Sequence, residues 1–302
     1  MTSTESSSDW WASIARVRWV DDRIRTLVAT HLPGYAVGTV RRLGAGQENV
    51  AYVVNDDLVV RLADDPTAVS READLLVAVA ELSPLPVPVP VFVDADGGCL
   101  AYRKLPGVPM LDLLPSAQAR LAARVAAQLG GFLAALHATP PTRMASLVER
   151  DEQPLPDWLV DAAADYHTIA QRIPHQGRGP IEAFLSHAPP QPAPTLVFSH
   201  NDLGIEHVLV DAATGQVSGV IDWSDAAITD AAYDLGLIHR DLGPTALDAA
   251  LAAYGPADAL LRERAVFYAR CAMLEDLRYG VEAGRPAYID KSVRSLPWLF
   301  AV

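Results

Sequence analysis

The chain has 302 residues, half of them apolar, and a formal net charge of −13. This length suits one large domain or two medium ones with a sizeable core. Nucleic acid and anionic membranes repel an acidic surface, so we expect neither as a partner. The sequence has no signal-like N-terminus, no apolar run of about 18 residues and no metal-binding cysteine spacing. We expect a monomeric, cytoplasmic protein whose two cysteines are buried and reduced.

The first hundred residues predict a leading helix followed by a sheet. Apolar residues recur on one side of residues 10–32, and Pro33-Gly34 should end that helix. The turn Gly44-Ala-Gly46-Gln-Glu-Asn49 can bring backbone N–H groups close to phosphates, because glycine permits close approach. We therefore expect an N-terminal lobe of residues 1–102 with about five antiparallel strands. Short β-type runs lie at residues 37–43, 50–54, 58–62, 91–93 and 100–102.

A single cation interrupts the third of these apolar runs. A buried Arg61 is costly unless an acid pairs with it. The next predicted helix, residues 70–82 with Ser70 as candidate N-cap, carries Glu72 in its first turn, where it could face Arg61. The alternative is an exposed Arg61 on an edge strand and a Glu72 that only favours the helix N-terminus.

The remainder of the chain predicts a hinge and a helical lobe. Residues 103–107 should form the hinge, and residues 108–302 the lobe. A stripe of leucine and valine at every fourth position indicates a long buried helix over residues 116–137. Further helices are expected at residues 158–173, 181–187, 231–241, 246–254 and 263–283.

Two acids frame a predicted β-hairpin inside this helical lobe. Asp202 precedes the hairpin, and Asp222 follows it 20 residues later. The hairpin can bring both carboxylates to one end, where one could receive a hydroxyl proton and the other could hold Mg²⁺. His207 stands where a further metal ligand would be expected.

The motifs His200-Asn-Asp202-Leu, His207 and Ile221-Asp222-Trp223 resemble the catalytic segment of the aminoglycoside phosphotransferase family of antibiotic kinases. The resemblance implies an α+β, bilobal protein-kinase-like fold with a mainly helical C-terminal lobe. It also implies transfer of the γ-phosphate of ATP or GTP to an antibiotic hydroxyl. Asp202 would then orient and deprotonate the acceptor hydroxyl, while Asp222 and His207 would bind Mg²⁺.

The same resemblance assigns nucleotide contacts to the N-terminal lobe and the hinge. Arg61 with Glu72 would hold the α- and β-phosphates, and backbone groups of the hinge would receive the purine. The candidate nucleotide-binding residues are Gly44, Gly46, Asn49, Arg61, Glu72, Arg103 and Leu105.

Arg61 and His207 replace the lysine and asparagine that are usual in the family, and both resemble the macrolide phosphotransferase branch. The first-choice acceptor is therefore the 2′-hydroxyl of a macrolide amino sugar, with resistance arising by inactivation. Asp225 could pair with that sugar's dimethylammonium, or it could cap the next segment. A cleft lined by Trp158, Phe267 and Tyr268 would suit a macrolactone. An acidic face at positions 157, 161 and 165 would instead favour aminoglycosides or another aminated small molecule.

Two other functions fit part of the pattern. A metal-dependent hydrolase could use His200, Asp202, His207 and Asp222 with water as the nucleophile. This interpretation leaves Arg61 and the hinge unexplained. A catalytically inactive nucleotide-binding protein is the third possibility, with Arg61 and His207 as signs of lost catalysis.

Overall fold

A computed structural model describes residues 7–45, 49–63 and 65–300, so the predicted role of Gly46 lies outside the described residues. The chain divides into two compact units. The N-terminal unit comprises Met1–Val77 and Pro88–Leu105, and the C-terminal unit comprises Ala78–Val87 and Pro106–Val302.

The N-terminal unit contains the antiparallel five-stranded sheet that the sequence predicted. Its strand order is β1-β2-β3-β5-β4, so the strand that carries Arg61 is the central one. This placement excludes an edge-strand Arg61. The strands are β1 Val40–Ala45, β2 Asn49–Val54, β3 Leu58–Ala63, β4 Pro90–Asp94 and β5 Cys99–Arg103.

Helix α1, Ser7–His31, contributes to the core of this sheet. Ile24 and Val28 of α1 are fully buried in the same cluster as Leu58 and Val60 of β3. Cys99 lies in this cluster as a free thiol, as predicted, and burial raises its pKa to about 12.

Helix α2 spans Pro66–Leu82 and therefore begins four residues before the predicted start. Ser70 is not its N-cap, because its hydroxyl donates to the carbonyl of Pro66 from within the helix, at 3.3 Å. The Asp65 carboxylate instead accepts the backbone N–H of Thr67 at 2.8 Å, as a capping side chain does. Pro66 at the first helical position is compatible with this start, because that position needs no donor.

The C-terminal unit is mainly helical, as predicted. Its long helices α3 and α8 pack at Gly130, where a Cβ would collide with the backbone of Ala250. Within the described residues, no helix is long and apolar enough to span a membrane. The helices are α3 Pro115–His137, α4 Pro141–Met144, α5 Leu155–Ile169, α6 His175–Leu185, α7 Ala232–Leu242, α8 Pro244–Tyr254, α9 Leu261–Glu282 and α10 Pro286–Leu299.

Several of these helices differ from the sequence-based expectation. Helix α5 starts at Leu155 rather than Trp158. Helix α6 starts at His175 rather than Ile181 and contains Pro180. Helix α10 was not predicted at all.

Short strands form two small sheets where the sequence predicted a single hairpin. The predicted hairpin is present as β9 and β10, and β6 extends it in the order β10-β9-β6. The second sheet, β7-β11-β8, includes the strand that leads into the Asp202 loop. The strands are β6 Val108–Pro109, β7 Glu149–Arg150, β8 Val197–Ser199, β9 Val208–Val210, β10 Val217–Val220 and β11 Ala227–Thr229.

Candidate active site

The loop that follows β8 is held by a buried carboxylate from α7. Asp234, in the first turn of α7 and fully buried, accepts the backbone N–H of His200 at 3.0 Å and that of Asn201 at 2.9 Å. Asn201 adopts a left-handed conformation with φ 63°, which redirects the chain just before Asp202. The position of Asp202 therefore depends on a side chain more than thirty residues further along the chain.

His200 fixes the same loop from inside. Its Nε2 lies 3.1 Å from the carbonyl of Ile221, and its Nδ1 accepts the backbone N–H of Asp202 at 3.3 Å. Burial lowers its pKa to about 4, so the ring is neutral at pH 7. These partners assign the proton to Nε2, and they link the Asp202 loop to the segment that carries Asp222.

His207 lies between the two predicted acids. Its Nδ1 is 2.8 Å from the backbone carbonyl of Asp202 and 3.2 Å from the Asp202 carboxylate. Its Nε2 is 3.7 Å from the Asp222 carboxylate. The structure thus brings together the candidate base and both candidate metal ligands, within one loop and one hairpin.

The pKa values of this group are shifted by burial and by neighbouring charge. The pKa of the Asp202 carboxyl is raised to about 7, chiefly by burial; His207 lowers it, and Glu206 and Asp225 raise it. Burial lowers the pKa of His207, but the carboxylates of Asp202, Glu206 and Asp222 outweigh that effect and leave it raised. Asp202 still exposes 36% of its side chain, so a substrate hydroxyl can reach it. A carboxylate with a pKa near the operating pH suits a general base.

Asp222 emerges from the hairpin in a conformation that projects its carboxylate outward. Its φ is 63°, and 41% of its side chain is exposed. The Ser224 hydroxyl donates to Asp222 Oδ1 at 2.8 Å, which leaves Oδ2 on the His207 side.

Asp222 and His207 are the side chains here that would hold a magnesium ion arriving with a nucleotide. Mg²⁺ is usually bound by one or two carboxylates together with substrate phosphates and water, rather than by an all-protein cage. The described residues contain no group of three or more His, Cys, Asp or Glu side chains arranged to hold a metal ion. Asp222 and His207 Nε2 would contribute the protein ligands, and metal binding would displace any proton from Nε2.

In the N-terminal unit, Arg61 and Glu72 form the predicted ion pair. Arg61 Nη1 lies 2.6 Å from Glu72 Oε1, and the two side chains are only 13% and 12% exposed. The pair joins the central strand β3 to α2. It therefore presents a fixed, partly buried cation at the sheet.

The predicted purine-binding segment starts at the end of β5. The Arg103 side chain pairs with Asp57 at 2.5 Å and lies over the Tyr35 ring, so it is engaged within its own unit. The backbone N–H of Lys104 donates to the carbonyl of Asp57 at 2.9 Å. Leu105 is half-buried. Gly44 and Asn49, the first and last residues of the predicted turn, lie instead in β1 and β2.

Comparisons with known proteins show the family and the fold of this chain. Residues 39–267 match the model of the phosphotransferase enzyme family. The chain belongs to that family. It is 31% identical over 253 residues to viomycin phosphotransferase of Streptomyces vinaceus, and the match covers 80% of this chain and 86% of the relative. This phosphotransferase is therefore a kinase-type enzyme with an alcohol group as acceptor.

Solved structures share the fold of this phosphotransferase. A GDP and kanamycin complex of APH(2″)-IIia superimposes with a TM-score of 0.67 at 23% identity, covering 91% of this chain and 97% of the other. The apoenzyme of the macrolide 2′-phosphotransferase MphH from Brachybacterium faecium gives 0.61 at 24% identity, covering 91% and 98%. The predicted α+β, protein-kinase-like fold is confirmed.

The candidate substrate side chains of the phosphotransferase lie in three places rather than in the single cleft that the sequence predicted. Trp158 and Tyr268 meet with ring centroids 5.3 Å apart and line a cavity of about 400 Å³. Phe267 packs against Phe184 and opens instead onto a separate cavity of about 680 Å³. Asp225 is exposed and raises the pKa of Asp202.

Sequence reasoning missed an aromatic residue and an acid next to this region. The ring centroids of Tyr233 and Trp158 are 5.2 Å apart. The pKa of Tyr233 is raised by burial and by the nearby carboxylates of Glu275 and Asp202. Burial also raises the pKa of Glu275, and Asp165 adds to that shift. Tyr233 directly precedes Asp234, so the aspartate that ties down the loop was the one signal that could have drawn attention to Tyr233.

Proposed function

We propose that this phosphotransferase moves the γ-phosphate of GTP or ATP to a hydroxyl group of a cationic antibiotic and thereby inactivates it. The observation that carries the proposal is the arrangement of Asp202, His207 and Asp222. The Asp202 carboxylate is partly exposed and has a pKa of about 7. His207 lies between it and the exposed Asp222 carboxylate, 3.2 Å from the first and 3.7 Å from the second. Phosphoryl transfer needs a group that orients the nucleophile and a group that holds the metal close together.

Each residue has one task in the proposed reaction. Asp202 accepts the proton of the acceptor hydroxyl. The oxygen of that hydroxyl bonds to the γ-phosphorus while the bond from the γ-phosphorus to the leaving nucleoside diphosphate breaks. Asp222 and His207 are the residues that would hold Mg²⁺, which when bound neutralises charge on the phosphates. Arg61, held by Glu72, would bind phosphate oxygens, and backbone groups from Arg103 to Leu105 would bind the purine.

Negative charge near Asp202 supports a cationic acceptor. Asp225 and Glu206 raise the pKa of Asp202, and Glu275 and Asp202 raise that of Tyr233. On α5, Asp161 and Asp165 raise the negative charge further, although Asp165 also pairs with Arg278 at 2.5 Å. A substrate with several amino groups would relieve this repulsion. The 31% identity to viomycin phosphotransferase supports the same choice.

A macrolide amino sugar is the second candidate acceptor, and specific residues favour it. Arg61 and His207 are the residues of the macrolide branch, and Asp225 could pair with a single dimethylammonium group. The aromatic pair Trp158 and Tyr268 offers apolar surface for a macrolactone.

A resistance profile tests the proposal and separates the two acceptors. The gene is expressed in a susceptible host, with the Asp202→Asn variant as control, and challenged with viomycin, kanamycin and a macrolide. We expect resistance to at least viomycin or kanamycin, and we expect the Asp202→Asn variant to lose it. Assays of the purified enzyme with ATP and with GTP show which nucleotide donates the phosphate. Resistance to the macrolide alone would favour the second candidate, and none at all would contradict the proposal.

A further inference from the structure

The last helix delivers a buried cation to the catalytic loop. Lys291 of α10 is only 3% exposed, and its Nζ lies 2.9 and 2.8 Å from the two carboxylate oxygens of Glu206. It also lies 2.9 Å from the Asp276 carboxylate and 3.6 Å from that of Asp241. A lysine buried to this degree needs paired charges around it, and three carboxylates from three different segments supply them.

A second cation completes the cluster. Arg240 of α7 donates to both carboxylate oxygens of Asp241, at 2.8 and 3.0 Å, and lies 3.2 Å from Asp276. Burial raises the pKa of Glu206, but the Lys291 ammonium outweighs it and leaves the pKa lowered. Two cations and three carboxylates therefore form one buried network. Lys291 and Arg240 lower the pKa of Glu206 and of Asp241, whereas burial leaves that of Asp276 raised.

This network grips the loop at two consecutive residues. The Asp241 carboxylate accepts the backbone N–H of Ile205 at 3.1 Å, and Lys291 binds the side chain of Glu206. The next residue is His207, whose Nδ1 lies 2.8 Å from the Asp202 carbonyl. Lys291 of α10 is thus linked to Asp202 by the ion pair with Glu206, the peptide bond from Glu206 to His207 and the contact of His207 with the Asp202 carbonyl.

We propose that Lys291 is a positioning residue, which holds Glu206 so that His207 and Asp202 keep the geometry needed for phosphoryl transfer. The proposal rests on the proposed function of the same loop. Lys291 acts through Glu206 and does not touch the substrate. A misplacement of about 1 Å in such a loop can cost about 100-fold in rate, which sets the size of the expected effect.

The test compares substitutions that cut the same link from both ends. Lys291→Met removes the cation and leaves one guanidinium among three carboxylates. Glu206→Gln removes only the charge on the loop and leaves two cations facing two carboxylates, so this variant is expected to fold even if the first does not. Leu299→Ala on α10 is the matched control, because it empties a fully buried apolar site without touching the network.

Phosphoryl transfer to the antibiotic and hydrogen exchange of the loop amides are both measured. We expect kcat to fall about 10- to 100-fold in Lys291→Met and in Glu206→Gln while KM for the nucleotide changes little. The amides of residues 203–207 should exchange faster in both variants. Leu299→Ala should melt at a lower temperature but keep its kcat and the slow exchange of this loop.

Each outcome decides the matter. A folded Glu206→Gln or Lys291→Met enzyme with wild-type kcat and wild-type loop exchange overturns the positioning role and leaves the proposed function intact. Equal kcat losses in Leu299→Ala would also overturn it, because lost stability alone would then explain the effect. A wild-type enzyme that transfers no phosphate to any acceptor overturns the proposed function and this inference with it.

Discussion

The two units hold their charged candidate residues by different means. In the N-terminal unit, Arg61 stands on a strand that is hydrogen-bonded on both sides, so the sheet fixes its backbone and Glu72 only directs its side chain. In the C-terminal unit, buried side chains fix the backbone of the Asp202 loop, with Asp234 binding His200 and Asn201. A residue on a sheet can therefore be changed with a local effect, whereas a substitution beneath the loop should move the catalytic group itself.

The largest expected effect comes from the loop's own base. Asp202→Asn should slow phosphoryl transfer about 10²- to 10⁴-fold, the usual contribution of a general base. Nucleotide affinity should change little, because Asp202 is assigned to the acceptor hydroxyl. Steady-state kinetics and nucleotide titration measure the two quantities separately. A folded variant with wild-type turnover would remove Asp202 from the mechanism.

The buried, neutral ring of His200 predicts that the C-terminal unit loses stability in acid. Its pKa of about 4 in the folded protein lies below the usual 6.5, so the unfolded chain takes up the proton first. The stabilisation is fully present above pH 6.5 and is lost as the pH falls to about 4, up to about 3 kcal/mol in the free energy of unfolding. Urea unfolding across this range measures the slope. It should be shallower in His200→Gln, and identical slopes would argue against a buried neutral ring.

The Asp234 clamp offers a matched pair of substitutions. Asp234→Asn places an amide N–H₂ against a backbone N–H in a buried site, so the free energy of unfolding should fall by about 1–3 kcal/mol and kcat should fall too. Asp211→Asn is the control, since Asp211 also accepts two backbone N–H groups but in an exposed turn. Its kcat should stay unchanged. An unchanged kcat in Asp234→Asn as well would mean that the hydrogen bonds from His200 and Asn201 to Asp234 contribute nothing to catalysis.

The smallest effect is expected on the sheet side. Arg61→Ala should raise KM for the nucleotide about tenfold, the value of one charged hydrogen bond, with a modest change in kcat. Arg61→Lys should restore most of the affinity, because the sheet still presents a cation. Arg41→Ala, which removes an exposed arginine of β1, is the control and should leave KM unchanged. A loss of kcat as large as that of the loop variants would erase the distinction between the two units.

The parts of the site that sequence could predict are those that local patterns specify. The β9–β10 hairpin follows from a turn sequence between apolar runs, and it brings the segments that carry Asp202 and Asp222 to one end. The hold of Asp234 on the Asp202 loop could not be predicted in this way. The Arg61–Glu72 pair followed from the cost of burying a lone cation, even though the start of α2 was misjudged. Both Asp65, which precedes Pro66, and Ser70 are residue types that cap helix N-termini, so the sequence alone did not show which of them begins α2.

The parts that sequence missed depend on contacts between distant segments. Helix α10 carries prolines at 286 and 297, which obscured its helical pattern, although the first lies where proline is tolerated. Lys291 and Glu206 are 85 residues apart, and no local pattern links them. The short strands β6, β7 and β11 contain two or three residues each, too few for an alternation to be recognised.

The fate of the γ-phosphate tests the proposed function most directly. Wild-type enzyme is incubated with γ-labelled ATP or GTP, Mg²⁺ and a basic antibiotic, and the label is followed with time. We expect label on an antibiotic hydroxyl in equal amount to the nucleoside diphosphate formed, and no such product from Asp202→Asn. Label released as inorganic phosphate at a rate independent of the antibiotic would contradict it and favour a hydrolase. Nucleotide bound without any turnover would contradict it in favour of a binding protein.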